Sequence, residues 1–241
     1  MKIILTSIIF FVFSSFQNAY FENLQILPSP QKNQPPYIYC NEFGQNESIE
    51  DLKLLPSLKN GVHIGWSIEM NYKIILAREP KLAILCDINK NVLNFFNHFQ
   101  ACILKSNNSQ DFFQTLKESL KIFLKKNRLI ETTKQKYESW IISESNYQLL
   151  KTMYEEGRIC HLALDVTDKE GRFAILAQWL ADNNYLLDTI YLSNIASWLK
   201  ETTTFENNLK LLFSPQTIRI EADHSLNQSV KIPFMNIETN L

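Results

Sequence analysis

Gly61-Val-His-Ile-Gly65-Trp-Ser-Ile-Glu69-Met-Asn71-Tyr72, a helical run, then Leu82-Ala-Ile-Leu-Cys-Asp87-Ile-Asn89 and a second helical run: this stretch, residues 61–104, decides the fold. In order it is strand, small-residue turn, helix, strand ended by an acid, helix, which is the opening half of a nucleotide-binding βαβ unit. A strand buried on both faces of a parallel sheet shows a continuous apolar run, and residues 82–86 are one, stopped by Asp87. The spacing from Gly65 to Asp87 is close to the roughly 20 residues by which an acid follows the glycine turn to grip a ribose hydroxyl. Only Gly61 and Gly65 stand where a full dinucleotide fingerprint has three close glycines, so the acid carries more of the signal than the turn.

Working outward, the same pattern returns later in the chain. Ile159-Cys-His-Leu-Ala-Leu-Asp165 reads as a third apolar strand ended by an acid, and Phe173, Leu176, Ala177 and Leu180 follow on a helix. Leu187-Asp-Thr-Ile-Tyr-Leu-Ser193-Asn194 is a fourth strand with a small polar end, followed by a short helix over 195–199. Residues 217–223 alternate and form a fifth strand nearer an edge, with 230–237 able to pair with it. Val92, Phe96, Phe99 and Ile103 recur at helical spacing and predict a face packed on the sheet rather than a base-stacking stripe. Residues 105–157 are helical, with Gly157 as a carboxyl-terminal cap. The order predicts an α/β fold: a doubly wound, mostly parallel Rossmann-like sheet with helices on both faces and a helical insertion at 105–157.

The 241 residues are 45% apolar and 20% charged, an ordinary globular composition with room for one substantial core. A net charge of -1 gives no overall pull toward nucleic acid or anionic membrane. The lysines of the 113–126 helix, continued by Arg128, Lys134 and Lys136, make a basic face interrupted by Glu118 and Glu131, as a solvated face is. Residues 1–20 differ: an apolar run of about 11 residues after Lys2 is too short for the roughly 20 of a membrane span and suits a signal peptide. Export to the periplasm or medium is the expectation, with 21–39 a proline-rich extended linker and 40–241 the α/β domain. Within that domain a short helix before residue 59 is expected to cap the amino-terminal edge of the sheet. The four cysteines, Cys40, Cys86, Cys102 and Cys160, lack the close spacing of a zinc site.

If the sheet is parallel, Gly65, Asp87, Asp165, Ser193 and Asn194 all fall on one rim at the carboxyl ends of strands, where such sheets bind ligands. Each has a use for a nucleoside: Gly65 admits close backbone approach, Asp87 accepts from ribose hydroxyls, Asp165 from an adenine amino group, and Asn194 both donates and accepts near the reacting end. Glu69 and Asn71, at the start of the first helix, cap it or face the ligand.

Gly65-Trp-Ser-Ile-Glu-Met-Asn-Tyr72, Cys86-Asp-Ile-Asn89 and Ile190-Tyr-Leu-Ser-Asn194, taken in order, resemble a group of uncharacterised bacterial proteins with the fold of class I S-adenosylmethionine-dependent methyltransferases. The likeness spans roughly residues 46–200. It departs from that group at Trp66 and Ile68, where the turn is ordinarily small, and at Asn89 and Lys90, where an arginine pair is common. The resemblance implies S-adenosylmethionine or a related nucleoside at Gly65, Glu69, Asn71, Asp87 and Asp165, with Ser193 and Asn194 positioning a methyl acceptor. The alternative is an exported, non-catalytic binding or interaction protein that keeps the fold, because S-adenosylmethionine is a cytosolic metabolite. A Ser193, His224, Asp165 or Asp223 hydrolase lacks the glycine-flanked serine elbow. His63, His161 and His224 lack the helical pair that would support a metal.

Overall fold

The computed structural model describes residues 21, 24–34, 44–126, 142–223 and 229–231. The expected signal peptide at 1–20, Cys40, Arg128, Lys134, Lys136 and His224 lie outside them. The chain divides into two compact units, one built, among the described residues, from 24–96 and those from 161 on, the other from 21, 97–126 and 142–160.

The larger unit is organised by a sheet of strands β1 (Gly61–Trp66), β2 (Leu82–Cys86), β3 (Ile159–Leu162), β4 (Leu186–Tyr191), β5 (Ile218–Asp223) and β6 (Ser229–Lys231). Their order is β3-β2-β1-β4-β5-β6, parallel except for β6, which runs antiparallel to β5. The fold is therefore the expected doubly wound Rossmann-like one. The strand order reverses at β1, so the topological switch point lies between β1 and β4, at the carboxyl ends of which such sheets open a crevice.

Every residue of β1 and β2 is buried, as a strand covered on both faces must be. Alternation then assigns the faces. His63 and Gly65 point toward helix α2 (Glu69–Arg78), whereas Trp66 points the other way and stacks on Phe173 of the helix over Arg172–Asp182. Helix α1 (Gln45–Leu54) places Leu52 in one buried cluster with Met70, Ile74, Tyr191, Ile218 and Ile220. It thus covers the α2 face of β4 and β5 rather than the amino-terminal edge expected of it, because its apolar side chains need a flat partner and the strand side chains supply one.

At the amino-terminal pole, Arg78 and Asp188 form a buried pair with side chains 1% and 3% exposed. The guanidinium donates to both carboxylate oxygens, at 2.9 and 2.8 Å, and to the carbonyls of Leu52, Leu55 and Pro56 at 2.8, 2.6 and 2.8 Å. All five of its N–H groups are used.

Helix α3 (Lys90–Lys105) contributes to both units, and Val92, Phe96, Phe99 and Ile103 are all buried, as their spacing predicts. The smaller unit adds α4 (Ser109–Lys126) and α5 (Glu144–Glu155) around an aromatic cluster. Phe99 meets Phe112 edge-on at 5.1 Å, and Phe112 lies 6.0 Å from Tyr147. Helix α5 begins at Ser143, whose hydroxyl accepts from Asn146 N–H at 3.2 Å. It ends at Gly157, φ 70°, with Arg158 N–H donating to Met153 C=O and Gly157 N–H to Tyr154 C=O, a Schellman stop as the glycine predicts. The remaining helices are α6 (Arg172–Asp182) and α7 (Thr203–Lys210). Among the described residues no helix is long and apolar enough to cross a membrane.

Candidate functional site

The turn leaving β1 is set by a network inside the protein. The Asn71 amide donates to the carbonyls of Trp66 and Ser67 at 3.0 and 2.7 Å, which turns its Oδ1 toward His63 Nε2 at 3.0 Å. That contact assigns the imidazole proton to Nε2, so Nδ1 accepts from the Thr189 hydroxyl at 2.9 Å. Thr189 is the register partner of His63, and the network ties β1, β4 and α2 together at the switch point. Burial lowers the His63 pKa to about 4, against smaller opposing contributions from Asn71, Asp188 and Thr189, and the ring is neutral near pH 7.

Gly65 belongs to this network. A Cβ there would stand 1.7 Å from Asn71 Oδ1 and 2.9 Å from His63 Nε2. The glycine expected to admit a ligand thus makes room for Asn71, and Asn71, fully buried, faces the turn. Glu69 is also buried and pairs with Lys73 at 3.0 Å within the first turn of α2, where an acid complements the helix dipole.

Ser67 takes φ 69°, a left-handed conformation uncommon outside glycine, and its N–H donates to Asp87. Asp87 follows β2, so this bond joins the turns that leave two neighbouring strands. The same carboxylate accepts from Asn89 N–H at 2.7 Å and from Ile88 N–H. Burial outweighs these amides and raises its pKa to about 6. Trp66, bulky where a small residue is ordinary, turns away from this carboxylate: its indole N–H donates to Leu164 C=O at 3.0 Å and its ring lies parallel to Phe173.

Asp165 follows β3 and closes its own turn, Oδ1 accepting from the N–H and hydroxyl of Thr167 at 2.9 and 2.8 Å. Its N–H donates to Ser29 Oγ at 3.0 Å. Beyond β4, Ser193 has φ 51° and its carbonyl accepts from Ala222 N–H. Asn194 opens a 3-10 turn over Ile195–Trp198, its carbonyl accepting from Ser197 N–H and its Oδ1 from the Trp198 indole at 3.1 Å. Trp198 is 72% exposed.

Residues 24–34, inside the stretch expected as a linker, are extended and held against this rim. Ser29 N–H donates to Ala163 C=O at 2.8 Å, Lys32 N–H to Ile88 C=O at 2.7 Å, and Lys90 N–H to Lys32 C=O at 2.8 Å. Arg172, itself paired with Asp168 and Glu170, donates to Leu27 C=O at 2.6 Å, and Asn91 donates to Gln34 C=O at 2.7 Å. Asp87, Asp165, Ser193 and Asn194 therefore lie beyond the carboxyl ends of β2, β3 and β4, with Ser67 beyond β1. Gly65, Glu69 and Asn71 support the β1 turn from within. Ser67, Ser29 and Trp198 were not singled out in the sequence; a left-handed serine and an exposed tryptophan leave no periodic trace there.

A doubly wound α/β sheet with an acid at the end of β2, beside the central β1, is the class this geometry defines. The chain belongs to the family described as a domain of unknown function (DUF7790), whose model matches residues 37–127 and 118–231. No curated protein matches it. Among solved structures it is similar to the rRNA methyltransferase aviRa from Streptomyces viridochromogenes in its 2.4 Å structure, at 12% identity over 92% of this chain and 85% of that one, with a TM-score of 0.41. The 1.5 Å structure of aviRa gives 10% identity over 86% of this chain and 85% of that one, at the same TM-score of 0.41. The strand order and rim described above stand on this chain's own hydrogen bonds.

Proposed function

We propose that the carboxyl rim binds a nucleoside, with S-adenosylmethionine the first candidate, and that the protein is methyltransferase-like. The observation that supports this most is Asp87: an acid at the end of β2, fixed by the amide of the β1 turn and raised to a pKa of about 6 by burial. A carboxylate offers about four acceptor positions, so one ribose hydroxyl can join the three amides. Asp165 stands at the base end, and Ser193 and Asn194 stand where an acceptor would be oriented beside β4. When bound, S-adenosylmethionine supplies an electrophilic methyl group; the chain's part is to place an acceptor in line with it. His63 does not serve as a base here, because both its nitrogens are committed to Asn71 and Thr189.

A second reading, an exported binding protein without turnover, is favoured by residues 24–34, which lie over the base end of the same rim, and by the apolar start of the chain. Calorimetric titration of the full chain with S-adenosylmethionine and S-adenosylhomocysteine tests both. Binding that weakens as pH falls through about 6, and that Asp87→Ala reduces by roughly tenfold or more, as loss of a hydrogen bond to a charged group requires, supports the first. Absence of binding at millimolar ligand overturns it. Binding without methyl transfer to any protein, RNA or small-molecule acceptor offered selects the second.

A further inference from the structure

The extended segment 24–34 is hydrogen-bonded to the loops that carry Asp87 and Asp165. Its Ser29 hydroxyl takes the Asp165 N–H, and its Lys32 backbone takes Ile88 C=O and Lys90 N–H, all from the loops that follow β3 and β2. Ser29 is 3% exposed and is the one buried residue of the segment, whereas Leu27 is 76% exposed and 30–34 are exposed throughout. The segment is therefore anchored by hydrogen bonds and one serine, with Leu24 and Ile26 only half-buried and no apolar side chain of its own fully buried. Such a segment opens at low free energy, since few buried apolar contacts oppose its release. Pro28 and Pro30 flank the anchor and fix its backbone dihedrals, which lowers the entropy lost when it docks.

From these contacts we infer that residues 24–34 are a built-in competitor for the base end of the rim: the strap docks there in the free protein and must leave before a nucleoside can reach from Asp87 to Asp165. The inference rests on the nucleoside reading of the rim. It makes the apparent affinity equal to the intrinsic affinity multiplied by the fraction of molecules with the strap released. Ligands that stop at the ribose meet only the Lys32 contacts beside Asp87, and those that carry a base meet the Ser29 anchor at Asp165 as well.

The test uses the full chain, with S-adenosylhomocysteine and adenosine as base-bearing probes and ribose as the control. Ser29→Ala removes the contact to Asp165 N–H, and Ser29→Pro removes that and the Ser29 N–H donor as well. Affinity for S-adenosylhomocysteine is expected to rise in the order wild type, Ser29→Ala, Ser29→Pro, by about tenfold across the series, the size of two lost hydrogen bonds. Hydrogen exchange of the Ser29 amide in the wild-type chain is expected to accelerate at saturating S-adenosylhomocysteine and to stay unchanged with ribose, a measurement that stands even if a variant fails to fold. Equal affinity across the series with unchanged or slower exchange at Ser29 overturns the strap while leaving the nucleoside site intact. No binding to wild type or to either variant overturns the nucleoside reading and the strap with it.

Discussion

The two poles of the sheet are built differently. At the amino-terminal pole Arg78 and Asp188 are almost fully buried and mutually satisfied, the guanidinium also closing three carbonyls of the 52–56 segment and the carboxylate also accepting from Leu58 N–H at 3.1 Å. Left-handed non-glycine backbone occurs at both poles, at Glu79 and Asn184 as at Ser67 and Ser193, but only at the carboxyl-terminal rim is an acid pushed toward neutrality, an exposed indole hung on Asn194 and a segment attached by polar contacts. The first region is saturated and therefore rigid. The second holds a buried acid that its amides do not fully compensate and a segment attached by polar contacts, the pattern of a surface that exchanges partners. On the proposed function, stability and recognition are divided between opposite ends of the same strands.

The largest effect that would break this contrast belongs to the saturated pole. Removing one partner, as in Asp188→Ala, leaves the Arg78 charge buried and should cost about 3–5 kcal/mol, lowering the melting temperature by on the order of 10 °C. If thermal unfolding shows Asp188→Ala no worse than a rim substitution, the division is wrong.

Next comes the join between the poles. Gly65→Ala puts a methyl into the space of Asn71 Oδ1, displacing the amide that holds the β1 turn and leaving His63 Nε2 without its acceptor. A loss of about 2–4 kcal/mol is expected. In a double-mutant cycle with Asn71→Ala, measured by denaturant titration, the two changes should be strongly non-additive, since both remove one network. Additivity would mean that Gly65 acts elsewhere, for instance directly at a ligand.

The smallest effect sharpens the contrast. Asp87 has its folded pKa raised to about 6 from 3.8, so the stability it contributes is full below pH 3.8 and lost as pH rises through about 6. Asp87→Asn should therefore stabilise the protein at pH 7, by roughly 1–2 kcal/mol after solvent screening, with the gain vanishing below about pH 4. Denaturant titrations at pH 4 and 7 check the sign. The same variant should lose nucleoside binding, and a stabilised but inactive protein is what a functional acid held at a cost to the fold produces.

Much of the fold is legible in particular residues. Leu82 to Cys86 shows no polar interruption because β2 is covered on both sides, and Ile218, Ile220 and Ala222 alternate with Arg219 and Glu221 because β5 is near the edge. Gly157 marks the end of α5 because few other residues take its φ cheaply. The site is less legible. Gly65 and Asn71 carry the right residue types for a ligand turn, yet their contact is with each other between β1 and α2, a pairing that spacing does not encode. Trp66 reads as an obstacle to a tight turn, and alternation sends it to the opposite face.

What the sequence determined by itself is the set of strands and helices, the near-parallel sheet and the placing of acids at strand ends, since these follow from periodicity and from where apolar runs stop. The tertiary structure alone decided which of those polar groups face solvent and which brace a turn. It also decided that residues 24–34, polar and proline-rich, lie on the rim. The physical reason is that hydrogen bonds between distant segments depend on register and distance in space, and neither leaves a pattern along the chain.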